Sequence, residues 1–600
     1  PISNSSKCFL RSEARGVVKR FLKGVSPSTS NLFNLLCQTL TDSPEPHSTS
    51  QLIFHLQSKH ALKWIRRRLA ESISLSGTSA EREEEGDFML SADQSRRLKK
   101  ALYYNLEPHQ LEEDSPVNVP SLLDLHVELI SGGATNVCVR VWFDPTLNRS
   151  SVDKQMDQFF SKQYPPGVFV KVAPPYARWA GPKKKCDVSR LDNEFRCLER
   201  LGSICPGIST VPIICGSDEV ENDGSRYLVT EFLPGQWEQY NGQFKRGHVD
   251  TKVAESLGFS LAKVHILSPT RFKGKDGILN ATTLDFISKG HYGKLLQDTT
   301  FELERTDFFN ERTGEIDKDA MRFKEYLKSN PELFRALSRH YDNFVNPPPE
   351  TATFAHLDSH VCNILVPVNG MRLDNSSIKS CLQGLASAER YDVSKECVFK
   401  LIDMEFSNWG PSGADIGLFV SCVLFYSLCH ACGDKEVDTN SIISTIPAIW
   451  NAYTDAYAHF ARDEGRSDKS VIRSLYFIAR EVLGWAGVWM FRFSAPKLFR
   501  LCLRCDLMYT LPTNIYEKLR SRQSSSGDVD GVAIFRSHVN CLAGKVLTMG
   551  FGDSALEEVP EIITMEHCNG IIESLVKEIT WATQRMRHSI RETDARGVKS

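Results

Sequence analysis

Charge of one sign is what this chain most obviously lacks. Its 72 lysines and arginines face 74 aspartates and glutamates, for a formal net charge of −2. No global field therefore favours a polyanion, and neither nucleic acid nor an anionic membrane is an expected partner. Long hydrophobic runs are missing too. The most apolar stretch, residues 416–432, is interrupted by Ser421, Ser427 and His430 and falls short of a bilayer span. It reads as a buried core helix capped by Asp415. No internal repeat is found. The 17 cysteines follow no regular spacing, which suits free thiols in a reducing compartment and argues against a secreted disulfide scaffold. A cytoplasmic location is the expectation. The pairs Cys429/Cys432 and Cys502/Cys505 have helical spacing within apolar runs, so core packing is favoured over a zinc site. Near the N-terminus, Lys7, Arg11, Arg15, Lys19, Arg20 and Lys23 stand against Glu13 alone, a pattern shared with organellar transit peptides.

What is present is ample apolar material: 41% hydrophobic residues across 600 positions. That is enough for a sizeable core and too much chain for one ordinary domain. Residues 1–118 read as a helical N-terminal extension without recognisable chemistry. Between 119 and 234 the runs 123–130, 137–143 and 168–172 are β-rich and separated by Gly, Pro and Asn, which predicts a twisted antiparallel sheet. One amphipathic helix, around 190–198, accompanies it. From 235 to 600 the chain turns helical, beginning with the amphipathic segment 253–265. The expected class is α+β, with a small antiparallel β lobe carrying one main helix, then a larger α-helical lobe. Residues 369–396, rich in Ser, Asn and charge, read as an insert.

Chemistry concentrates in His356-Leu357-Asp358-Ser359-His360-Val361-Cys362-Asn363, a polar segment between apolar flanks, as in a loop entering a β-hairpin. Phosphoryl transfer needs a carboxylate to accept the proton of the attacking hydroxyl, and a nearby oxygen to help hold a metal. Asp358 as catalytic base and Asn363 as a metal ligand fit those roles. Downstream, 398–406 is predicted as a buried strand that ends with Asp403 and Glu405 on one side. Hard Mg2+ takes such oxygen ligands; a solvated turn is the alternative. Gly132 and Gly133, followed by Asn136, lie between two strands and suit either a phosphate cradle or a tight hairpin. Lys171 on its strand is either solvated or aimed at the α and β phosphates of ATP, with Glu194 on the helix as its candidate partner. The strand ending at Glu231 breaks at Pro234-Gly235, as an interlobe hinge would, and its backbone amides could face adenine.

These residues resemble the methylthioribose kinases, a branch of the protein-kinase-like and aminoglycoside-phosphotransferase-like superfamily. Asp403-Met404-Glu405-Phe406, the following Gly410-Pro411 and Asp415-Ile416-Gly417 are similar to that family's Asp-Pro-Glu-Phe segment and its sequel. Val170-Lys171-Val172-Ala173-Pro174-Pro175-Tyr176-Ala177-Arg178 is similar to its lysine strand, and Asn136 fits its glycine-loop pattern. The resemblance extends over about 122–497. It implies a bilobal protein-kinase-like fold and transfer of the ATP γ-phosphate to the 1-hydroxyl of 5-methylthioribose in methionine salvage. It also implies that Asp358 acts as base, that Asp403 and Glu405 bind magnesium, and that Asp415 braces the catalytic loop. Of two successive substrate-facing arginines in the family only Arg492 is kept, Phe493 standing in place of the other. Leu357 replaces the family's usual glycine, and its Trp-Pro element is missing after the lysine segment. Two alternatives therefore stay open: another small alcohol or amino alcohol as acceptor, or a nucleotide-binding pseudokinase scaffold. A homodimer is left open as well.

Overall fold

The computed structural model describes residues 125–130, 136–143, 167–176, 186–217, 224–233, 237–272, 329–368, 399–433, 439–494, 531–553 and 562–597, with a few isolated positions. The expected N-terminal extension, the insert at 369–396, Gly132, Gly133, Cys502 and Cys505 lie outside them. The chain divides into two compact units. The first runs to Phe195 and takes in Val211–Gly235; the second comprises Arg196–Thr210 and Gln236–Ser600.

In the first unit, β1 (Leu125–Ile130), β2 (Val137–Phe143), β3 (Gly167–Ala173), β4 (Pro212–Ser217) and β5 (Arg226–Glu231) form an antiparallel sheet in the order β1-β2-β3-β5-β4. Alternation along β2 sends Val137, Val139 and Val141 into the core, as the period of two requires. Arg140, on the other face, is buried as well, its guanidinium stacked on Trp142 and Phe232 at 4.9 and 4.3 Å, so a charged residue gains an aromatic cover. The main helix α1 (Arg190–Ile204), whose residues to Phe195 belong to this unit and the rest to the second, buries Leu191, Leu198 and Leu201, one stripe at helical spacing. The fold class is α+β.

The second unit is mainly helical. It carries β6 (Trp237–Gln239), α2 (Asn241–Arg246), α3 (Thr251–Phe272), α4 (Pro331–Val345), β7 (Ala352–Ala355), β8 (Ile364–Pro367), β9 (Lys400–Leu401) and β10 (Asn408–Pro411). These are followed by α5 (Gly413–Ala431), α6 (Thr439–Ile443), α7 (Thr445–Asp463), α8 (Asp468–Ser494), α9 (Gly531–Phe551) and α10 (Met565–Gly597). Small sheets β6-β8-β9 and β10-β7 frame the segment between β7 and β8. Helix α4 begins with Asn330, whose side chain accepts from Leu333 N at 3.2 Å, and with Pro331 in its first turn, a favourable combination for a helix start.

Helix α5 is long and apolar enough to cross a membrane, yet all 19 of its residues are buried inside the molecule. It is a core helix, as its sequence predicts. It lies so close to α8 that a Cβ on Gly417 would sit 2.5 Å from Trp485 Cβ and 2.8 Å from Val482 O. Cys429 and Cys432 are buried within α5 and at its end. Burial pushes the Cys429 thiol well up, the reverse of what metal ligation needs.

Candidate active site

In the first unit β3 delivers Lys171 opposite Cys138 and Leu228. Its ammonium is buried against the Glu194 carboxylate, with Nζ at 2.8 and 2.7 Å from the two oxygens. The pair expected between strand and helix is therefore formed. The paired acid compensates the hydration that the buried amine loses. Asn136 turns its side-chain oxygen to Arg190, which donates from Nε at 3.2 Å and Nη2 at 2.9 Å. Arg190 also donates to Asp187 O at 2.6 Å and Pro174 O at 3.3 Å. Arg190, which sequence reasoning did not single out, thus ties Asn136 before β2 and Pro174 after β3 to the start of α1. At the end of β5, two of the backbone amides expected to face adenine are engaged within the sheet: Glu231 N donates to Val211 O at 3.0 Å and Phe232 N to Gly167 O at 3.1 Å. The Glu231 carboxylate accepts from Val211 N at 3.0 Å.

In the second unit the loop from His356 to Asn363 is held by backbone and side-chain donors together. Asp415, in the first turn of α5, accepts His356 N at 2.9 Å through Oδ2 and Leu357 N at 2.9 Å through Oδ1. Ser359 Oγ donates to Asp415 O at 2.8 Å. His265 of α3 meets Asp415 Oδ2 at 3.2 Å through Nε2, while its Nδ1 meets Tyr453 OH at 3.0 Å. Burial alone would raise the Asp415 carboxyl, but His265, with His356 and its N–H, holds it below the ordinary value. Asp415 does not cap its own helix. The N–H of Gly413 instead donates to Glu481 Oε2 of α8 at 3.0 Å.

Within this loop Asp358 is 6% exposed. Its N–H donates to His356 Nδ1 at 3.2 Å, and His356 Nε2 meets Ile402 O at 3.0 Å, a pattern that fixes the Nε2–H tautomer. Asn363 donates from Nδ2 to Asp358 O at 2.9 Å and Oδ2 at 3.1 Å. His360 accepts from Cys362 N at 3.2 Å through Nδ1, and its Nε2 lies 3.6 Å from Asp358 Oδ1. Asp358 and Asn363, expected as base and ligand, are in direct contact.

Leu357 adopts φ 59, in the left-handed region that glycine occupies without cost and a leucine occupies at about 1–2 kcal/mol. Its side chain is fully buried. A Cβ on Gly410 would stand 3.2 Å from Leu357 Cδ2, so the missing side chain at 410 makes room for the one gained at 357.

The predicted strand over 398–406 is corrected. Only Lys400–Leu401 pairs as a strand, Asp403 turns left-handed at φ 66, and Met404–Phe406 form a single 3-10 turn. The two acids converge through that turn and not through strand alternation. An oxygen of Asp403 and one of Glu405 lie within 4.8 Å of each other, and Glu405 is 1% exposed. Ile402 N donates to Asn363 O at 3.0 Å, which joins this turn to the loop. Two clustered carboxylates beside an asparagine whose amide nitrogen is already engaged, leaving its oxygen, form a donor set suited to a hard divalent cation. Arg492 belongs to α8, and its side chain lies outside the described residues.

Glu481, missed by sequence reasoning, is 2% exposed. Besides Gly413 N it accepts from the Thr351 hydroxyl and from Asn343 Nδ2 at 3.1 Å. Burial pushes its carboxyl up to about 7 against the pull of these donors. Its one sequence signal is an acid inside an apolar helical run, Ile478-Ala479-Arg480-Glu481-Val482-Leu483.

No family model matches the chain. Over 343 residues it is 22% identical to the methylthioribose kinase of Bacillus velezensis, covering 56% of this chain and 73% of that protein. Among solved structures, a glucosamine kinase in complex with glucosamine, ADP and inorganic phosphate is similar with a TM-score of 0.30 at 14% identity, covering 66% of this chain and 84% of that one. A protein assigned by inference to the aminoglycoside phosphotransferases, from Ralstonia eutropha JMP134, has a TM-score of 0.32 at 12% identity, covering 77% and 97%.

Proposed function

We propose that this chain is an ATP-dependent small-molecule kinase and that its acceptor is the 1-hydroxyl of 5-methylthioribose. The observation that carries the reading is Asp358, held in a buried loop by backbone bonds to Asp415 and touched by Asn363. Asp358 orients the acceptor hydroxyl and takes its proton as the oxygen attacks phosphorus. Asp403, Glu405 and the oxygen of Asn363 would hold Mg2+, which when bound offsets the charge gathered on the transferred phosphoryl group. Lys171, steadied by Glu194, supplies a fixed cation for the nucleotide phosphates. Positioning and charge stabilisation do nearly all the work, because the loosely bonded phosphoryl group needs little covalent help.

The assay is incubation with ATP, Mg2+ and 5-methylthioribose, followed by detection of the phosphosugar. Asp358→Asn is expected to lose at least about a thousandfold in kcat, in line with removing both base and acceptor orientation. A wild-type rate no higher than that variant's would defeat the proposal. Retention of Arg492 alone, beside Phe493, favours a second acceptor class, another small alcohol or amino alcohol. Phosphorylation of one of these in preference to the thiosugar would establish it.

A further inference from the structure

Glu481 is a buried titratable side chain that the phosphotransfer steps do not use. One of its three bonds reaches Gly413 N, the first residue of α5, two positions before Asp415. Another reaches Thr351, the residue before β7, and β7 runs directly into His356. Ser412 N donates in turn to Thr351 O at 3.0 Å, which closes the ring. The third donor, Asn343 of α4, leaves the carboxylate satisfied on both oxygens. Gly413 permits the approach, since a Cβ there would collide with Glu481 Cβ.

We propose that Glu481 is a positioning residue for phosphoryl transfer, one carboxylate on α8 that sets both arms of the catalytic loop, the strand that delivers Asp358 and the helix that delivers Asp415. This rests on the kinase reading. Its physical core is independent of that reading, because the two arms meet at Glu481 whatever the substrate is. Loss of the carboxylate leaves the Gly413 N–H buried without an acceptor and the Thr351 hydroxyl with only its long bond to Pro348 O at 3.4 Å. The start of α5 then shifts, and Asp415 loses register with the amides of His356 and Leu357. A displacement of about 1 Å at Asp358 costs on the order of a hundredfold in rate with little change in nucleotide affinity.

The test uses the full chain and three variants, Glu481→Ala, Glu481→Gln and Thr351→Val, with two measurements. Steady-state kinetics should show kcat falling about a hundredfold in Glu481→Ala while KM for ATP moves less than about twofold. Glu481→Gln keeps an acceptor for Thr351 but presents a donor to Gly413 N–H, so its kcat should fall between Glu481→Ala and wild type. Amide hydrogen exchange without nucleotide should show lost protection at His356 and Leu357, with α7 unchanged. Unchanged kcat together with wild-type exchange at these two amides overturns the proposal, and so does protection lost evenly across the molecule. Where Glu481→Ala does not fold, Thr351→Val decides: it has the same shape without the hydroxyl, and wild-type exchange at His356 would overturn the role. A wild type that phosphorylates nothing would sink the kinase reading alone, since the exchange measurement still judges Glu481.

Discussion

Leu357 shows how a single side chain can occupy a position whose backbone favours glycine. Its left-handed φ costs about 1–2 kcal/mol, while its fully buried side chain fills the space above Gly410. Deleting a buried leucine costs about 3–5 kcal/mol. Leu357→Gly should therefore destabilise the protein by about 2 kcal/mol net while leaving phosphoryl transfer intact, because the Asp415 bonds use the N–H of residue 357 and not its side chain. A denaturant melt checks the first half and a rate assay the second; a gain in stability would mean that strain outweighs packing. Asp358 and Asn363, which touch each other, and Lys171 and Glu194, which form an ion pair, were legible in the sequence as candidates because few side chains suit the proposed roles. Arg190, His265 and Glu481 were not. Their partners lie far away along the chain, and a buried polar residue looks like a surface one until its donors are known. Asp403 and Glu405 were found for an incorrect reason: alternation presumes an extended chain, and the left-handed turn at Asp403 breaks it.

Among elements, α5 is the one on which the candidate site depends. Its start carries Asp415, and its contact with α8 is fixed by glycine at 417. Gly417→Val places branched carbons against Trp485 and the Val482 carbonyl, so the helices must separate. We expect a loss of about 1–3 kcal/mol, typical of an overfilled core, accompanied by a drop in kcat because Asp415 moves with the helix. Loss of stability at unchanged kcat would show that the loop keeps its geometry without α5. Several elements were legible. β-rich runs bounded by Gly, Pro and Asn marked β2 and β3, an amphipathic pattern marked α1, and a predominantly apolar run marked α5. The short strands β7, β8 and β10 were harder, since four residues carry too little periodicity.

For the whole molecule, pH and ligand binding read out these local arrangements. Asp415, held below its ordinary value, contributes stability above about 3.8 that is lost as pH falls through its folded value. Glu481 has the opposite sign. Its folded value near 7 lies above the 4.5 of the unfolded chain, so its contribution is complete below 4.5 and is lost as pH rises to 7, by about 3 kcal/mol at most. The other titratable side chains facing it, Tyr453 and Tyr457 of α7, are raised by burial and stay neutral across that window. Between pH 5 and 7.5 the wild-type Tm should thus fall more steeply than that of Glu481→Gln; parallel curves would contradict the assignment. Mg-ATP at a hundred times its Kd should add about 2.7 kcal/mol by linkage, and no shift in Tm would argue against nucleotide binding.

The anchoring of the loop through the N–H groups of His356 and Leu357 has an evolutionary consequence. Every amino acid except proline supplies the same N–H, so these two bonds to Asp415 survive a change of side chain, while the imidazole bonds of His356 and the left-handed backbone at Leu357 still restrict which side chains fit. A lineage can thus replace the expected glycine at 357 and keep the loop's backbone bonds.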